Sequence, residues 1–512
     1  MNLMQIVMNK IILTFSLIIG FNLAIKAQTF NWGYPFGIVD ETEKTITHVV
    51  EDKLYRVSSY YDLEVFNFEV TADQFSLQDF KKIESLDLSV KQPAMGSAML
   101  TINSVYQQEA TDFTFFYTEY NRDLKQRELF WNNVNIDSGE KNDPIKITQQ
   151  EAKNSFNQGH YYTAQSENKK FYAVLGETYF HKKEKEKIQL LLLDANKKIV
   201  KETTFEYDLL DDRNKKQEIF VSNNGEVFIV KKIDLKKQKP FLSVYHWNPA
   251  SNKMNNYSLK QDDNYQIYDF KMKAIDNEML FVGLLKYEKS TSIGMKVDMD
   301  GRHSGTYAGG ILLTRFAADG SLDYMQRNDF TNIVSNLTFN KIIIEDTNAW
   351  MISDLSYVEK KSKSTNIAAG NIEYDYNYLN NGFLISYLDT ENGELVWNQK
   401  IETQEPDTKN DNGAYLSTLA FTANGNLNLL YNETREVRND RGYKRNRRFP
   451  IRHIFSTTGE ELSKEAIISA GIGVKYDEDF ELNTSILIPV NDNTYILRAK
   501  SNSQFKYGYL KL

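Results

Sequence analysis

The stretch Ile219-Phe220-Val221-Ser222-Asn223-Asn224-Gly225-Glu226-Val227-Phe228-Ile229-Val230 decides the fold. Two runs of β-branched and aromatic residues flank a polar Asn-Asn-Gly turn, the sequence signal of a β-hairpin. The pattern recurs along the chain. Its turns are Glu51-Asp52, Glu109 to Asp112, Glu167 to Lys169, Asn223 to Gly225, Asp276-Asn277, Asp346 to Asn348, Asn424-Gly425 and Asn491 to Asn493, spaced 52 to 78 residues apart. A quasi-period of that size, built of strands throughout, predicts a repeat fold of propeller blades.

A second series of turns interleaves with the first: Thr71 to Asp73, Asp137 to Gly139, Asp194 to Lys197, Asn248 to Asn252, Ala318 to Gly320, Asp389 to Gly393 and Thr457 to Gly459. Two hairpins per period make a four-stranded meander, strands A to D, which is the propeller blade. The reading is therefore all-β: an eight-bladed β-propeller of four-stranded antiparallel blades. Seven blades are complete in sequence. The eighth has A and B around Asn491 to Asn493 and C at Phe505 to Leu510, and lacks D. The strand-like Phe30 to Tyr34 is predicted to supply it and close the ring, which protects edges that would otherwise template aggregation. A seven-bladed propeller, or two β domains split near Lys260 to Asn264, are the alternative architectures. Ser76 to Ser85 and Gln149 to Phe156 are candidate short helices.

The beginning of the chain reads differently. Ile11 to Ile25 is almost continuously apolar, preceded by Lys10 and followed by Lys26-Ala27-Gln28. That is the layout of a secretory signal peptide cleaved after Ala27, and the apolar core is short for a membrane span. Residues 1–27 are thus expected to be a signal peptide and 28–512 one propeller domain, with no direct membrane span. The sequence contains no cysteine, which excludes disulfides, cysteine-based zinc sites, a catalytic thiol and a lipid-modified cysteine. The expected location is the periplasm or cell surface, reached without lipidation. The 31 Tyr and 30 Phe supply the packing that must stand in for cross-links. A net charge of −8 argues against nucleic acid as a partner.

In a propeller the B–C and D–A connections share one face. The B–C connections of the later blades are long: Lys286 to Gly310, Tyr357 to Asn381 and Glu433 to Phe449. Long loops on a rigid scaffold commonly carry function, and these fall in consecutive blades. The last holds Arg435, Arg438, Arg441, Tyr443, Lys444, Arg445, Arg447 and Arg448, whose guanidinium forks suit an acidic protein, an acidic glycan or a lipopolysaccharide phosphate. The competing reading is a solvated charge run balanced by Glu433, Glu436 and Asp440. The middle connection carries Tyr374, Tyr376 and Tyr378, which share one face if the segment is extended. They would then make a contact surface, or else pack as ordinary strand tyrosines. In the first, Asp298-Met299-Asp300-Gly301 has the start of a calcium loop without its later ligands. No catalytic constellation stands out. None of the six His sits in an HExxH spacing, and there is no GxSxG elbow or phosphate loop.

Tyr387-Leu388-Asp389-Thr390-Glu391-Asn392-Gly393-Glu394-Leu395-Val396-Trp397 resembles the blade signature of quinoprotein-like eight-bladed propellers. Fainter echoes run from Phe316 to Leu322 and from Ile454 to Glu460. The resemblance implies that Trp397 packs between adjacent blades. It also implies one of two roles: a dehydrogenase holding a quinone and calcium, commonly with a vicinal disulfide, or a cofactor-free scaffold such as a bacterial outer-membrane assembly factor. A chain without cysteine fits the second. The expected function is a non-catalytic, exported binding or scaffold subunit of a bacterial cell-envelope complex, without cofactor or metal. The alternative is a secreted glycan-binding or glycan-active (hydrolase or lyase) propeller, whose paired carboxylates sequence alone cannot locate.

Overall fold

The tight A–B turns show why polar residues recur where they do. Ala423 pairs with Asn426 across a two-residue loop, Asn424-Gly425, and both loop residues have positive φ, 53° and 69°. Such loops match the twist of the flanking strands and select Asn and Gly. Glu51, Asp276 and Asp346 open equivalent turns, also with positive φ. All eight turns of the first series join paired strands.

The computed structural model describes residues 29–36, 44–62, 67–89, 101–212, 215–233, 241–259, 265–287, 307–362, 374–403, 408–409, 415–438, 444–471, 480–491, 493–501 and 504–512. The signal-peptide segment, 1–27, lies outside them. All regular structure among the described residues is β-strand, in eight separate sheets. Blades 1 to 7 span 44–87, 101–151, 160–210, 215–258, 265–335, 337–402 and 419–466, each a meander of four consecutive strands. Blade 8 takes Glu481–Asn491, Thr494–Ser501 and Gln504–Lys511 from the end of the chain and Thr29–Phe36 from its beginning. The A strands of neighbouring blades touch, as Leu337–Glu345 does Leu419–Ala423, and so line the ring axis.

Each junction between blades has its own buried apolar cluster. Tyr55 and Val57 meet Phe113 and Phe115 between blades 1 and 2. Clusters of the same kind fill the junctions 2–3, 3–4, 4–5, 5–6, 6–7 and 7–8. Leu54, Phe75 and Phe80 of blade 1 then pack on Ile496 and Tyr507 of blade 8, completing the circle. The cluster of Phe228, Val230, Ile267 and Met272 crosses the position where a split into two β domains was the alternative. The ring has eight blades.

Closure follows the expected pairing. Phe30 lies opposite Leu510, Asn31 opposite Tyr509 and Trp32 opposite Gly508, antiparallel. A Cβ on Gly508 would sit 2.5 Å from the Phe30 ring, so the close approach needs glycine there. A fifth strand was not foreseen. Ile468–Gly471, leaving blade 7, pairs parallel with the outer side of Thr29–Phe36, and Phe480 stacks on Phe30 at 5.7 Å.

Side chains tie the blades together on the A–B and C–D face. Asn168 and Asn223, in the A–B turns of blades 3 and 4, are joined by two hydrogen bonds of 2.9 Å, and Asn223 Nδ2 donates to Asp276 O of blade 5. A D-strand aromatic also donates to the next blade's C–D turn three times over. Tyr257 Oη reaches Gly320 O at 3.0 Å, Tyr324 Oη reaches Thr390 O at 2.7 Å, and Trp397 Nε1 reaches Thr457 O at 2.8 Å. Trp397 is thus an inter-blade residue, as the blade signature implies, and tyrosines hold the equivalent place in blades 4 and 5.

Three local expectations are corrected. Thr71 to Asp73 lies inside the strand Asn67–Ser76, and the C–D turn of blade 1 is at 77–81. Ser76 to Ser85 is that turn plus the start of the strand Lys82–Asp87, not a helix. Gln149 to Phe156 is the end of the strand Ile145–Glu151 and a following turn. Both strands are outermost in their blades and largely solvent-facing, so neither shows the alternation that marks a half-buried strand.

Closure yields a first prediction. Phe30→Ala removes a fully buried ring from the seam and should cost about 3–5 kcal/mol. The denaturant midpoint of the whole ring should fall. An unchanged midpoint would mean that Thr29–Phe36 does not hold the ring shut.

Candidate functional site

The described parts of the two later B–C connections are paired strands rather than loops, residues 363–373 and 439–443 lying outside the described residues. In blade 6, Asn348–Ser362 and Tyr374–Asp389 stay paired well beyond the blade, out to Ser362 opposite Tyr374. In blade 7, Asn426–Arg438 and Lys444–Phe455 stay paired out to Arg438 opposite Lys444. Sequence reading took both segments for loops because charged and polar residues dominate them; the one strand-like alternation, Tyr374, Tyr376 and Tyr378, is only three residues deep. They are β-ribbons, rising in consecutive blades from one face of the ring.

The candidate residues fall on these ribbons. Tyr374, Tyr376 and Tyr378 occupy alternate positions of one regular strand, opposite Ser362, Lys360 and Val358. Thr408–Lys409 adds a short third strand beside Asn377 and Tyr378. Arg435 is paired opposite Arg447, Val437 opposite Arg445, and Arg438 opposite Lys444. Like charges directly opposite one another are unfavourable in an antiparallel pair. Part of the charge run is balanced internally. Lys444 Nζ lies 2.8 Å from Glu436, Arg448 pairs with Glu481, and Lys464 Nζ lies 3.0 Å from Glu433. Arg441, Tyr443, most of the Lys286 to Gly310 connection and its Asp298-Met299-Asp300-Gly301 lie outside the described residues.

A second charged assembly, missed by sequence reading, lies buried between blades 3 and 4. Lys215 Nζ is 2.7 Å from Asp211, 3.0 Å from Glu186 and 3.6 Å from Glu177. Lys231, fully buried, pairs with the other oxygen of Glu186 and lies 3.9 Å from the centre of the Tyr207 ring. Gln217 Nε2 donates to both Glu177 and Glu186, while its Oε1 accepts from Tyr207 Oη at 3.1 Å. Burial pushes the Glu177 carboxyl up to about 7; Lys215 opposes that shift and Glu186 adds to it. The only local trace in sequence is a charge at an inward strand position, such as Lys231 within Val227–Ile233. The partners come from five strands and the connection between blades, so no spacing announces them.

Glu177 and Lys215 also border a cleft of about 700 Å³ on the B–C and D–A face, lined further by Arg127, Lys153, His160 and Tyr162. Glu186 lies behind them, buried. The two glutamates therefore do not face each other across open space, as a glycosidase pair must. No cluster of three His, Asp or Glu suited to a metal occurs among the described residues.

No family model matches the chain, and no curated protein matches it. Among solved structures it is similar to the β-propeller domain of the trilobed protease from Pyrococcus furiosus, at 9% identity over 88% of this chain and 100% of that chain, TM-score 0.34. It is similar also to polysaccharide lyase Uly1, at 10% identity over 83% of this chain and 91% of that chain, TM-score 0.32. A third likeness is to the acylaminoacyl peptidase of Pyrococcus horikoshii, at 9% identity over 90% of this chain and 58% of that chain, TM-score 0.35. The blade count rests on this chain's own sheets rather than on these likenesses.

The raised Glu177 value sets a pH dependence. The folded carboxyl holds its proton up to about 7, against an ordinary value of 4.5. Its stabilising contribution is therefore full below 4.5 and lost as pH rises through 7. Glu177→Gln keeps a neutral side chain of the same shape and should flatten that part of the stability curve. Burial shifts His48, His160 and His453 downward in both proteins, so the difference between the two denaturant series isolates Glu177. Parallel curves would show that the Glu177 carboxyl titrates alike in the folded and unfolded chain.

Proposed function

We propose that this chain is a non-catalytic, exported propeller that serves as a binding or scaffold subunit of a bacterial cell-envelope complex associated with the outer membrane. The observation that carries the reading is the pair of β-ribbons standing on consecutive blades. A ribbon projecting from a rigid ring offers contact area whose shape is fixed before the partner arrives, which lowers the ordering cost of binding. Beyond Leu355, the strand ending at Ser362 has no partner other than Tyr374–Asp389 among the described residues. An open edge of that kind suits addition of an extended segment from another protein. The cationic positions Arg435, Arg438, Arg445 and Arg447 give the surface its sign, so the partner is taken to be an acidic protein. Tyr374, Tyr376 and Tyr378 supply aromatic contact positions on the neighbouring ribbon. The leader-like Lys10 to Ala27 supports export, and the blade-6 signature accords with the cofactor-free branch of quinoprotein-like propellers.

Charge reversal tests the reading. The double substitution Arg435→Glu and Arg447→Glu should abolish recovery of cross-linked envelope partners from intact cells. The ring's melting temperature should stay within a few degrees, since both positions lie on the two-stranded ribbon beyond the four-stranded part of blade 7, and substitutions away from the core usually move stability by about 0.5 kcal/mol or less. Equal recovery of the same partners by wild type and variant would remove the ribbons from the function.

A further inference from the structure

The cleft across blades 2 to 4 holds a cation that the protein does not neutralise. Arg127 is only 9% exposed. Its Nη1 donates to Gly159 O at 2.7 Å and its Nη2 to Thr118 Oγ1 at 2.9 Å, while Nε has no acceptor. No carboxylate pairs with it among the described residues. A buried guanidinium satisfied only by neutral oxygens retains most of its charge deficit, because burial without a counter-ion is costly. Lys153, at the rim of the same cleft, likewise has no ion pair among the described residues. On the far side Lys215 holds Glu177 and, behind it, Asp211, and Asp212 adds a further carboxylate to the lining. The cleft is therefore polarised, with spare positive charge on the blade-2 side and acceptor oxygens on the other.

A second observation is independent of charge. Phe156 borders the cleft and is 97% exposed. It does not sit on a loose loop. Asn154 Oδ1 accepts from the backbone N–H groups of Phe156 and Asn157, at 2.9 and 3.0 Å. Asn157 then clasps Phe180, accepting its N–H at 2.9 Å and donating to its carbonyl at 3.2 Å. A large apolar ring held out in water on a tied backbone buries almost nothing within the fold. Beside a polar cleft it serves as a platform for the apolar face of a ligand.

We propose that this cleft binds a saccharide chain bearing carboxylate or sulfate groups, with the anionic group at Arg127 and Lys153 and a sugar ring stacked on Phe156. The volume of about 700 Å³ lies within the usual range of ligand clefts, roughly 300–1,000 Å³. Glu177, His160 and Tyr162 line the far wall, where sugar hydroxyls would find acceptors and donors. The site lies on the same face as the ribbons but across the ring from them. It goes beyond the partner-binding reading and does not depend on it.

Calorimetric titration of the mature chain tests it with three probes of equal length: an oligogalacturonate, a sulfated oligosaccharide and a neutral cello-oligosaccharide. At least one acidic probe should bind, and the neutral one should not. Arg127→Gln should weaken binding by about tenfold or more, as loss of a charged hydrogen bond does. Phe156→Ala should weaken it by about three- to tenfold. Lys153→Ala should weaken it and reduce its salt dependence. Phe156 and Lys153 are exposed, so the test survives if Arg127→Gln fails to fold. The proposal is overturned if neither acidic probe binds, if the neutral probe binds equally, or if Phe156→Ala and Lys153→Ala both leave affinity unchanged.

Discussion

A four-stranded blade has two apolar faces, and only a neighbour on each side can cover both. Every other feature of this ring depends on meeting that condition at all eight junctions. Seven are met by blades adjacent in sequence. The eighth brings together strands from opposite ends of the chain, so Thr29–Phe36 must find Gln504–Lys511 before blade 8 is whole. Aromatic rings fill this seam, as they do other junctions. Phe30, Trp32 and Phe480 pack edge-to-face and stacked within 6 Å, and Phe80 and Tyr507 carry the packing across to blade 1. Without disulfides, buried aromatic area is what holds the last junction against the entropy of a long closed loop.

The polar residues divide by face. On the A–B and C–D side they are structural. Asn168 and Asn223 bridge successive turns, and Tyr257, Tyr324 and Trp397 each donate to the following blade. A residue that satisfies a turn carbonyl in the next blade fixes the angle between blades as well as its own turn. On the opposite side the polar residues are less fully paired. Arg127 Nε and Asp354 Oδ1 are both buried without a partner, and burial raises the Asp354 carboxyl to about 6. That side also carries ties between blades, such as Asn432 Nδ2 donating to Tyr415 O and Leu482 O, so the poorly satisfied groups sit within an otherwise braced face.

Much of the architecture was legible because a turn leaves a local mark. Left-handed backbone favours Asn, Asp and Gly, so Asn424-Gly425 and Asp276 could be read one residue at a time. The missing strand of blade 8 was legible by counting, since seven meanders were complete and one was not. What escaped reading lacked a local mark. The ribbons beyond Leu355 and Asn432 are rich in charged and polar residues, so their sequence shows little of the apolar period that marks a half-buried strand. The strand Lys82–Asp87 was lost for the same reason. The ion cluster around Lys215 and Lys231 was invisible in a different way. Glu177, Glu186, Lys215 and Lys231 are spread over more than fifty residues and become neighbours only when blades 3 and 4 stack.

That cluster also bears on why the cleft lies where it does. Lys231 and Glu186 are sealed, and an ion pair so placed adds little net stability over a well-packed apolar pair. Its effect is to specify geometry. Lys215 must meet three carboxylates at once, which fixes the top of blade 4 against blade 3 and holds Glu177 at the cleft wall. Across the cleft, Arg127 is held by Gly159 O and Thr118 Oγ1, which fixes the D–A connection that carries Phe156. The two walls are thus set by separate polar networks, one neutralised within the protein and one not. A rigid cleft with one balanced wall and one unbalanced wall has a built-in direction for an anionic ligand. Changing Lys215 would disturb the fold of that wall, whereas changing Lys153 or Phe156 would alter only what the cleft can hold.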